Sequence, residues 1–260
     1  MMKFKVNKVY IRECIKFMKA LPDACVDLTF ADPPYNLRKQ YSSYKDTKLD
    51  SEYIEWCDRW LEQMARITKP TGSLYVLNLP KWSVHHAVFL DSLLYRQNWI
   101  VWEALSTPLG KLMPAHYALL FYTKQKTDYL FNKQYTRNSY ESCYRERCIR
   151  TMRKNEENNV SDIWFDIHRI RHRKKRDLHP CQLPLKLLER IILTSTKPDD
   201  IVFDPFMGVG TTALVAKLLN RNFLGCEIDR KYSEIIKDKL LNYKNYGIDI
   251  NTKIDVKSLF

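Results

Sequence analysis

Apolar residues along the chain recur in two rhythms, short continuous runs and longer stretches with helical spacing. The runs at 26–31, 73–77, 99–103, 118–123, 129–131, 201–203 and 222–227 are rich in β-branched, aromatic and leucine residues and read as buried strands. Between them, apolar positions three and four apart predict helices over 11–21, 51–68, 84–94, 184–196, 211–219 and 231–241. Pro22 ends the first helix and Ser51 caps the second, whose core face is Ile54, Trp60, Leu61, Met64 and Ile67. Trp56 is read, like Trp60, as a packing residue, and so are His85 and His86 on the third helix. Strands alternating with helices predict an α/β fold with a mostly parallel, doubly wound sheet, in a single domain over 1–260.

Two strand ends carry the chemistry. Residues 201–229 form a strand, a tight loop, a helix and a second strand, with Asp204 and Glu227 at the carboxyl ends of the two strands. Those ends line the ligand crevice of an open α/β sheet. Gly208 and Gly210 present no Cβ, so the loop between can turn sharply and approach a ligand. The loop satisfies the loose dinucleotide spacing, which by itself leaves a nicotinamide-dependent oxidoreductase open. The charges decide against it. An acid just before the loop opposes a pyrophosphate, whereas Asp204 suits a cationic group and Glu227 can accept hydrogen bonds from two ribose hydroxyls. A nucleoside bearing an ammonium, S-adenosyl-L-methionine, meets both demands.

The strand over 26–31 runs into Asp32-Pro33-Pro34-Tyr35. Proline fixes φ and donates no hydrogen bond, so the Pro33 carbonyl projects without a strand partner beside the Asp32 carboxylate. The two acceptors can hold both hydrogens of an exocyclic amine while Tyr35 stacks on the ring that bears it.

Charge adds a partner. The chain of 260 residues has a formal net charge of +13, and residues 124–176 alone hold 15 basic and 7 acidic residues interleaved with aromatics. Arg169, Arg171, Arg173, Lys174, Lys175 and Arg176 are its densest part and read as phosphate contacts. A polar segment over 37–49, with Arg38, Lys39, Lys45 and Lys48 among tyrosines, borders the Asp-Pro-Pro-Tyr turn. Seven cysteines, an odd number without a CxxC pair, argue for reduced thiols; with His179, Cys143, Cys148 and Cys181 match no standard zinc spacing, so no metal is expected. No run approaches the ~18 apolar residues of a membrane span, and the chain reads as soluble and cytoplasmic, from a prokaryotic cell or its phage.

Taken together, Asp32-Pro-Pro-Tyr35, Trp102, the stretch 116–124, His179-Pro-Cys-Gln182-Leu-Pro184 and Phe206-Met-Gly208-Val-Gly210 resemble the amino-group DNA methyltransferases. The resemblance is to the beta class, in which Asp-Pro-Pro-Tyr precedes the Phe-x-Gly-x-Gly loop, and it leaves out only about 133–177, the basic insertion. It implies a Rossmann-like methyltransferase fold whose insertion serves target recognition. It also implies site-specific methylation of the N6 amine of adenine in duplex DNA, with Asp32, Pro33, Pro34 and Tyr35 catalytic and the base flipped out. N4-cytosine methylation and a catalytically silent DNA-binding subunit are the alternatives. Asp32, Gln182, Asp204, Pro205, Phe206, Gly208, Gly210, Thr211, Thr212 and Glu227 would line the cofactor site. Glu13 and Cys14 fall where the family lines the adenine pocket, although the family pattern has Asp before Cys. The family suggests a homodimer and leaves open a cognate restriction endonuclease.

Overall fold

Strand β2 (Val26–Ala31) runs through the middle of the sheet, because its side chains are apolar on both faces: Leu28 and Phe30 fill one core cluster, Val26 and Ala31 the other. The computed structural model describes residues 4–38, 46–104, 115–136, 158–170 and 182–245. Around β2 an eight-stranded sheet forms from β1 (Lys8–Ile11), β3 (Thr68–Asn78), β4 (Tyr95–Glu103), β5 (His116–Thr123), β8 (Ile163–Trp164), β9 (Ile201–Asp204) and β10 (Asn222–Glu227), in the order β1-β10-β9-β2-β3-β5-β4-β8. A separate two-stranded ribbon pairs β6 (Tyr135–Thr136) with β7 (Asn158–Asn159). The five strands from β1 to β3 are parallel, and β5 runs against both β3 and β4.

Helices cover both faces. Those at Cys14–Lys19 (α1), Asp50–Ile67 (α2) and Pro80–Asp91 (α3) pack one core with Leu74, Val76 and Phe203. Those at Leu185–Ser195 (α4) and Thr211–Leu218 (α5) pack the other with Tyr75, Leu77 and Val202. A further helix, Arg230–Leu241 (α6), follows β10 and sends Ile236 into the second core. The alternation along β3 and β9 is the period-2 signature of a sheet buried on both sides.

Strands β2 and β9 are neighbours, yet the connection from β2 leads through α2 to β3 on one side and that from β9 through α5 to β10 on the other. The chain therefore diverges between them, and a crevice opens outside their carboxyl ends.

Several expectations are revised. Ile11 belongs to β1, paired with Glu227, so the first helix begins only at Cys14. Ser51 lies inside α2; the cap position is Leu49, whose N–H is taken by the Glu52 carboxylate at 3.2 Å. Residues 129–131 are not a strand: Tyr129 and Phe131 set their rings against Phe121 instead of joining a ladder. The basic insertion is partly built into the core, since β8 extends the sheet beside β4, Trp164 is buried, and Trp102 donates its indole N–H to the Ile167 carbonyl at 2.7 Å. Among the described residues no helix is long and apolar enough to cross a membrane.

Candidate active site

The crevice at the β2–β9 divergence is a cleft open to solvent, and it gathers residues from six parts of the chain. Strand β9 delivers Asp204, which is 2% exposed. One of its oxygens accepts the Phe206 N–H at 2.8 Å and the other the Thr212 hydroxyl at 2.6 Å. Burial pushes this carboxyl up to about 7, helped by the charge of Glu227 and opposed by the two donors. Thr212 lines the cleft as expected, with its hydroxyl proton committed to Asp204.

Glu227 ends β10. One of its oxygens accepts the Gly208 N–H at 2.7 Å, and the other accepts those of Ile228 and Asp229, each at 2.8 Å. Burial raises its pKa despite these donors. A carboxylate offers about four lone-pair sites, so the loop has taken most of them. The expectation of two ribose hydroxyls on Glu227 narrows to about one. A second acceptor stands close by: Asp229 caps α6 through one oxygen, while its Oδ2 is buried without a hydrogen-bond partner among the described residues, in the wall of the same cleft.

Glycine is required where the loop turns. Gly208 (φ 53°) and Gly210 (φ 81°) both lie in the left-handed region. Gly210 does not line the cleft; a Cβ there would come within 2.9 Å of Ile236 on α6, so its work is to let the loop enter α5 against that helix.

On the other side of the divergence β2 delivers Asp32, Pro33, Pro34 and Tyr35, all lining the cleft. The Tyr35 hydroxyl donates to Asp32 Oδ1, and the Tyr35 ring is only 7% exposed, tilted against Tyr117 at 5.7 Å. Tyr117 stacks in turn on Trp102 at 5.5 Å, and the Arg169 guanidinium lies over the Tyr117 ring at 5.5 Å. In this arrangement Tyr35 grips Asp32 rather than offering an open face. Of the cationic run, Arg169 is placed beside the site, while Arg171, Arg173, Lys174, Lys175 and Arg176 lie outside the described residues, as does Cys181.

The remaining expected residues converge as well. Gln182, Pro205, Phe206, Thr211, Glu13 and Cys14 line the cleft. Glu13 caps α1, accepting Ile15 N–H at 3.0 Å and Lys16 N–H at 2.8 Å, which explains why a carboxylate sits there. Burial raises the Cys14 thiol well above its ordinary range. Sequence patterns did not reveal Arg12, Trp56, Asp229 or Tyr232, which also line the cleft. Trp56 meets Phe206 edge-on at 5.7 Å, so one of the two tryptophans assigned to packing in fact forms a wall. Its position one helical turn before Trp60 gave no sign of that, because the two project to different depths.

The donor set states what can bind. Among the described residues, Glu13, Asp32, Asp204, Glu227 and Asp229 contribute five carboxyl groups to the lining and Arg12 the one guanidinium, between apolar walls from Trp56, Pro205, Phe206, Val209 and Ile228. A pyrophosphate would meet uncompensated like charge. A nucleoside that carries an ammonium fits, with Asp229 Oδ2 and the last site on Glu227 as acceptors for its hydroxyls.

Comparison with known proteins identifies the family. Residues 26–238 match the family model of the N6 and N4 methyltransferases, described as DNA methylase. The type II methyltransferase M.BamHI of Bacillus amyloliquefaciens is 37% identical over 249 residues, covering 91% of this chain and 57% of the relative. The chain thus spans little more than half of that protein's length. The DNA adenine methyltransferase YhdJ of Escherichia coli (strain K12) is 32% identical over 253 residues, covering 91% of this chain and 83% of the relative. Among solved structures, a putative DNA modification methylase from Thermus thermophilus, complexed with S-adenosyl-L-methionine, superposes with a TM-score of 0.64 at 19% identity, covering 91% of this chain and 93% of the other.

Proposed function

The chain belongs to the DNA methylase family of N6 and N4 methyltransferases, and from that premise we propose that it methylates the N6 amine of adenine at specific sites in duplex DNA, using S-adenosyl-L-methionine. The observation that carries this reading is the meeting, across one chain divergence, of an amine-accepting turn (Asp32 to Tyr35) with an acid-lined nucleoside cleft (Asp204, Glu227, Asp229). Either half alone would serve other chemistry. Together they bring a poor nitrogen nucleophile to a cationic methyl donor.

When bound, S-adenosyl-L-methionine supplies an electrophilic sulfonium methyl. Asp204 would receive its ammonium, and Glu227 with Asp229 its ribose. The amine of adenine is delocalised into the ring and needs help. The Asp32 carboxylate and Pro33 carbonyl would accept its two hydrogens, favouring a tetrahedral nitrogen with its lone pair aimed at the cleft. The rate then comes mainly from positioning and fixed electrostatics. A paired base cannot reach this depth, so it must be flipped out of the duplex. Its arrival would release the Tyr35 hydroxyl from Asp32 and open the Tyr35 ring for stacking. The cleft itself is acidic in a chain of net charge +13, which separates the tasks: the base enters the cleft and the phosphates stay on the basic surface. We place the chain in the class with Asp-Pro-Pro-Tyr ahead of the glycine loop, and assign recognition to the basic insertion over 133–177.

The test is transfer of labelled methyl from S-adenosyl-L-methionine to unmethylated genomic DNA, with the modified base identified by mass spectrometry. N6-methyladenine is expected, and N4-methylcytosine would reassign the base. Asp32→Ala should abolish transfer while the protein stays folded, because the amine loses its charged acceptor. Near-normal turnover in that variant would overturn the role of the turn.

A further inference from the structure

The turn that would bind the target amine has few backbone donors with which to hold itself in place. Pro33 and Pro34 have no N–H, so within this turn the carbonyls are the main handles left for hydrogen bonding. Two buried side chains take them. Tyr53, on α2, donates its hydroxyl to the Pro34 carbonyl at 2.6 Å, and Trp82, on α3, donates its indole N–H to the Tyr35 carbonyl at 2.8 Å. Their rings pack on each other at 4.6 Å, and both residues are buried.

The hydroxyl of Tyr53 is itself oriented from behind. Asn78 ends β3, and its Oδ1 accepts the Leu79 N–H at 2.8 Å. That turns Asn78 Nδ2 toward the Tyr53 oxygen at 3.2 Å and His86 Nε2 at 3.0 Å. An amide nitrogen only donates, so His86 accepts at Nε2 and keeps its proton on Nδ1. Burial pushes His86 down to about 3, which keeps the ring neutral. Tyr53 therefore accepts from Asn78 and donates to the Pro34 carbonyl. Donation thus runs outward from Asn78, to His86 on one side and through Tyr53 to the Pro34 carbonyl on the other.

We propose that Tyr53 and Trp82 are positioning residues for methyl transfer, drawing the Pro34 and Tyr35 carbonyls toward the helices so that the turn presents the Asp32 carboxylate and Pro33 carbonyl together to the amine. The proposal rests on reading the turn as the amine site. A purely structural role would lower stability and leave the chemical step of each folded molecule unchanged. A positioning role slows that step, because a displacement of about 1 Å at a reacting centre can cost on the order of 100-fold in rate.

The experiment uses Tyr53→Phe and Trp82→Phe, each of which removes one donor and keeps a ring. The single-turnover rate is measured with labelled S-adenosyl-L-methionine and a duplex carrying the site that modified-base sequencing identifies for the parent. Rates are expressed per cofactor-binding molecule, so a partly unfolded sample does not mimic a slow one. Each variant should transfer methyl about 10- to 100-fold more slowly, with dissociation constants for S-adenosyl-L-methionine and for the duplex within about twofold of the parent. Parental rates in both variants, or an effect confined to the dissociation constants, would overturn the proposal. A parent that transfers no methyl to DNA would instead overturn the function proposed above, so the two failures are distinct.

Discussion

Gly225 lies directly opposite Asp204 in the parallel ladder of β9 and β10, and a Cβ on Gly225 would overlap both the Asp204 carbonyl and the Met207 methyl. The missing side chain lets the two acid-bearing strand ends approach and lets Met207 fold beneath the glycine loop. Gly225→Ala should therefore separate the strands where the cofactor site is built. Overpacking of this kind destabilises by about 1–3 kcal/mol. A fall in melting temperature of several degrees is expected, together with weaker S-adenosyl-L-methionine binding. Thermal unfolding that matches the parent would mean that the strands part without strain.

Asp204 should trade stability against binding. Burial raises its folded pKa to about 7, above the ~3.9 of an unfolded chain. The folded state therefore holds a proton that the unfolded state releases, and stability from this group is full below about pH 4 and lost as pH rises through about 7. Asp204→Asn keeps the proton-bearing geometry, because Thr212 can accept where it now donates. The variant should melt higher than the parent at pH 8 and nearly equal to it at pH 4.

The same residue predicts a binding profile. An ammonium needs Asp204 ionised, so parental affinity for S-adenosyl-L-methionine should rise with pH toward about 7, by up to about tenfold per unit. Asp204→Asn should bind more weakly, by roughly 1.5–3 kcal/mol, and with a flat profile over that range. Calorimetric titration from pH 5.5 to 7 decides it; an equally steep profile in the variant would place the ammonium elsewhere.

Glu227→Gln should do more harm than removing one hydrogen bond to a ligand. Its amide nitrogen would face backbone N–H groups of Gly208, or of Ile228 and Asp229, which now donate to a carboxylate. A buried donor left without an acceptor destabilises by about 1–3 kcal/mol. Both melting temperature and cofactor affinity should fall, whereas Asp229→Asn should lower affinity with little change in melting. If Glu227→Gln melts like the parent and only its affinity falls, the carboxylate is a ligand group and not a brace of the loop.

Lys174, Lys175 and Arg176 carry the prediction for DNA. Neutralising them together should weaken binding to all duplexes alike and flatten the slope of log affinity against log salt by about 0.9 for each phosphate no longer neutralised. S-adenosyl-L-methionine binding should not change. Arg169→Ala tests a different role, since its guanidinium lies over Tyr117 beside the catalytic turn. It should reduce methyl transfer more than it changes the salt slope. A parental slope in the triple variant would move the phosphate-binding surface elsewhere.

Much of this was legible in the chain itself. The largely apolar stretches at 26–31 and 222–227 coincide with β2 and β10 as found, because a strand buried on both faces needs apolar side chains on each. Asp204 and Glu227 could be placed at strand ends, and Asp32 at a proline-stopped turn, because local chemistry alone sets where those strands stop. The loop glycines were readable for the same local reason.

Other features depended on distant partners. That Glu227 is mostly committed to its own loop, that Tyr35 grips Asp32, and that Trp56 forms a cleft wall while Trp60 is core are facts about neighbours supplied from elsewhere in the chain. The clamp of Tyr53 and Trp82 joins residues 19 and 47 positions from the carbonyls they hold. The Ile163–Trp164 strand was invisible for a related reason: two residues in a basic segment have no period, and they are a strand only because the edge of β4 leaves backbone groups to pair. Sequence determined which residues could do the chemistry, since residue type and local geometry are written in order along the chain. Tertiary structure decided which hydrogen-bonding sites are already taken, since that depends on what burial brings within about 3 Å of each carboxylate and carbonyl.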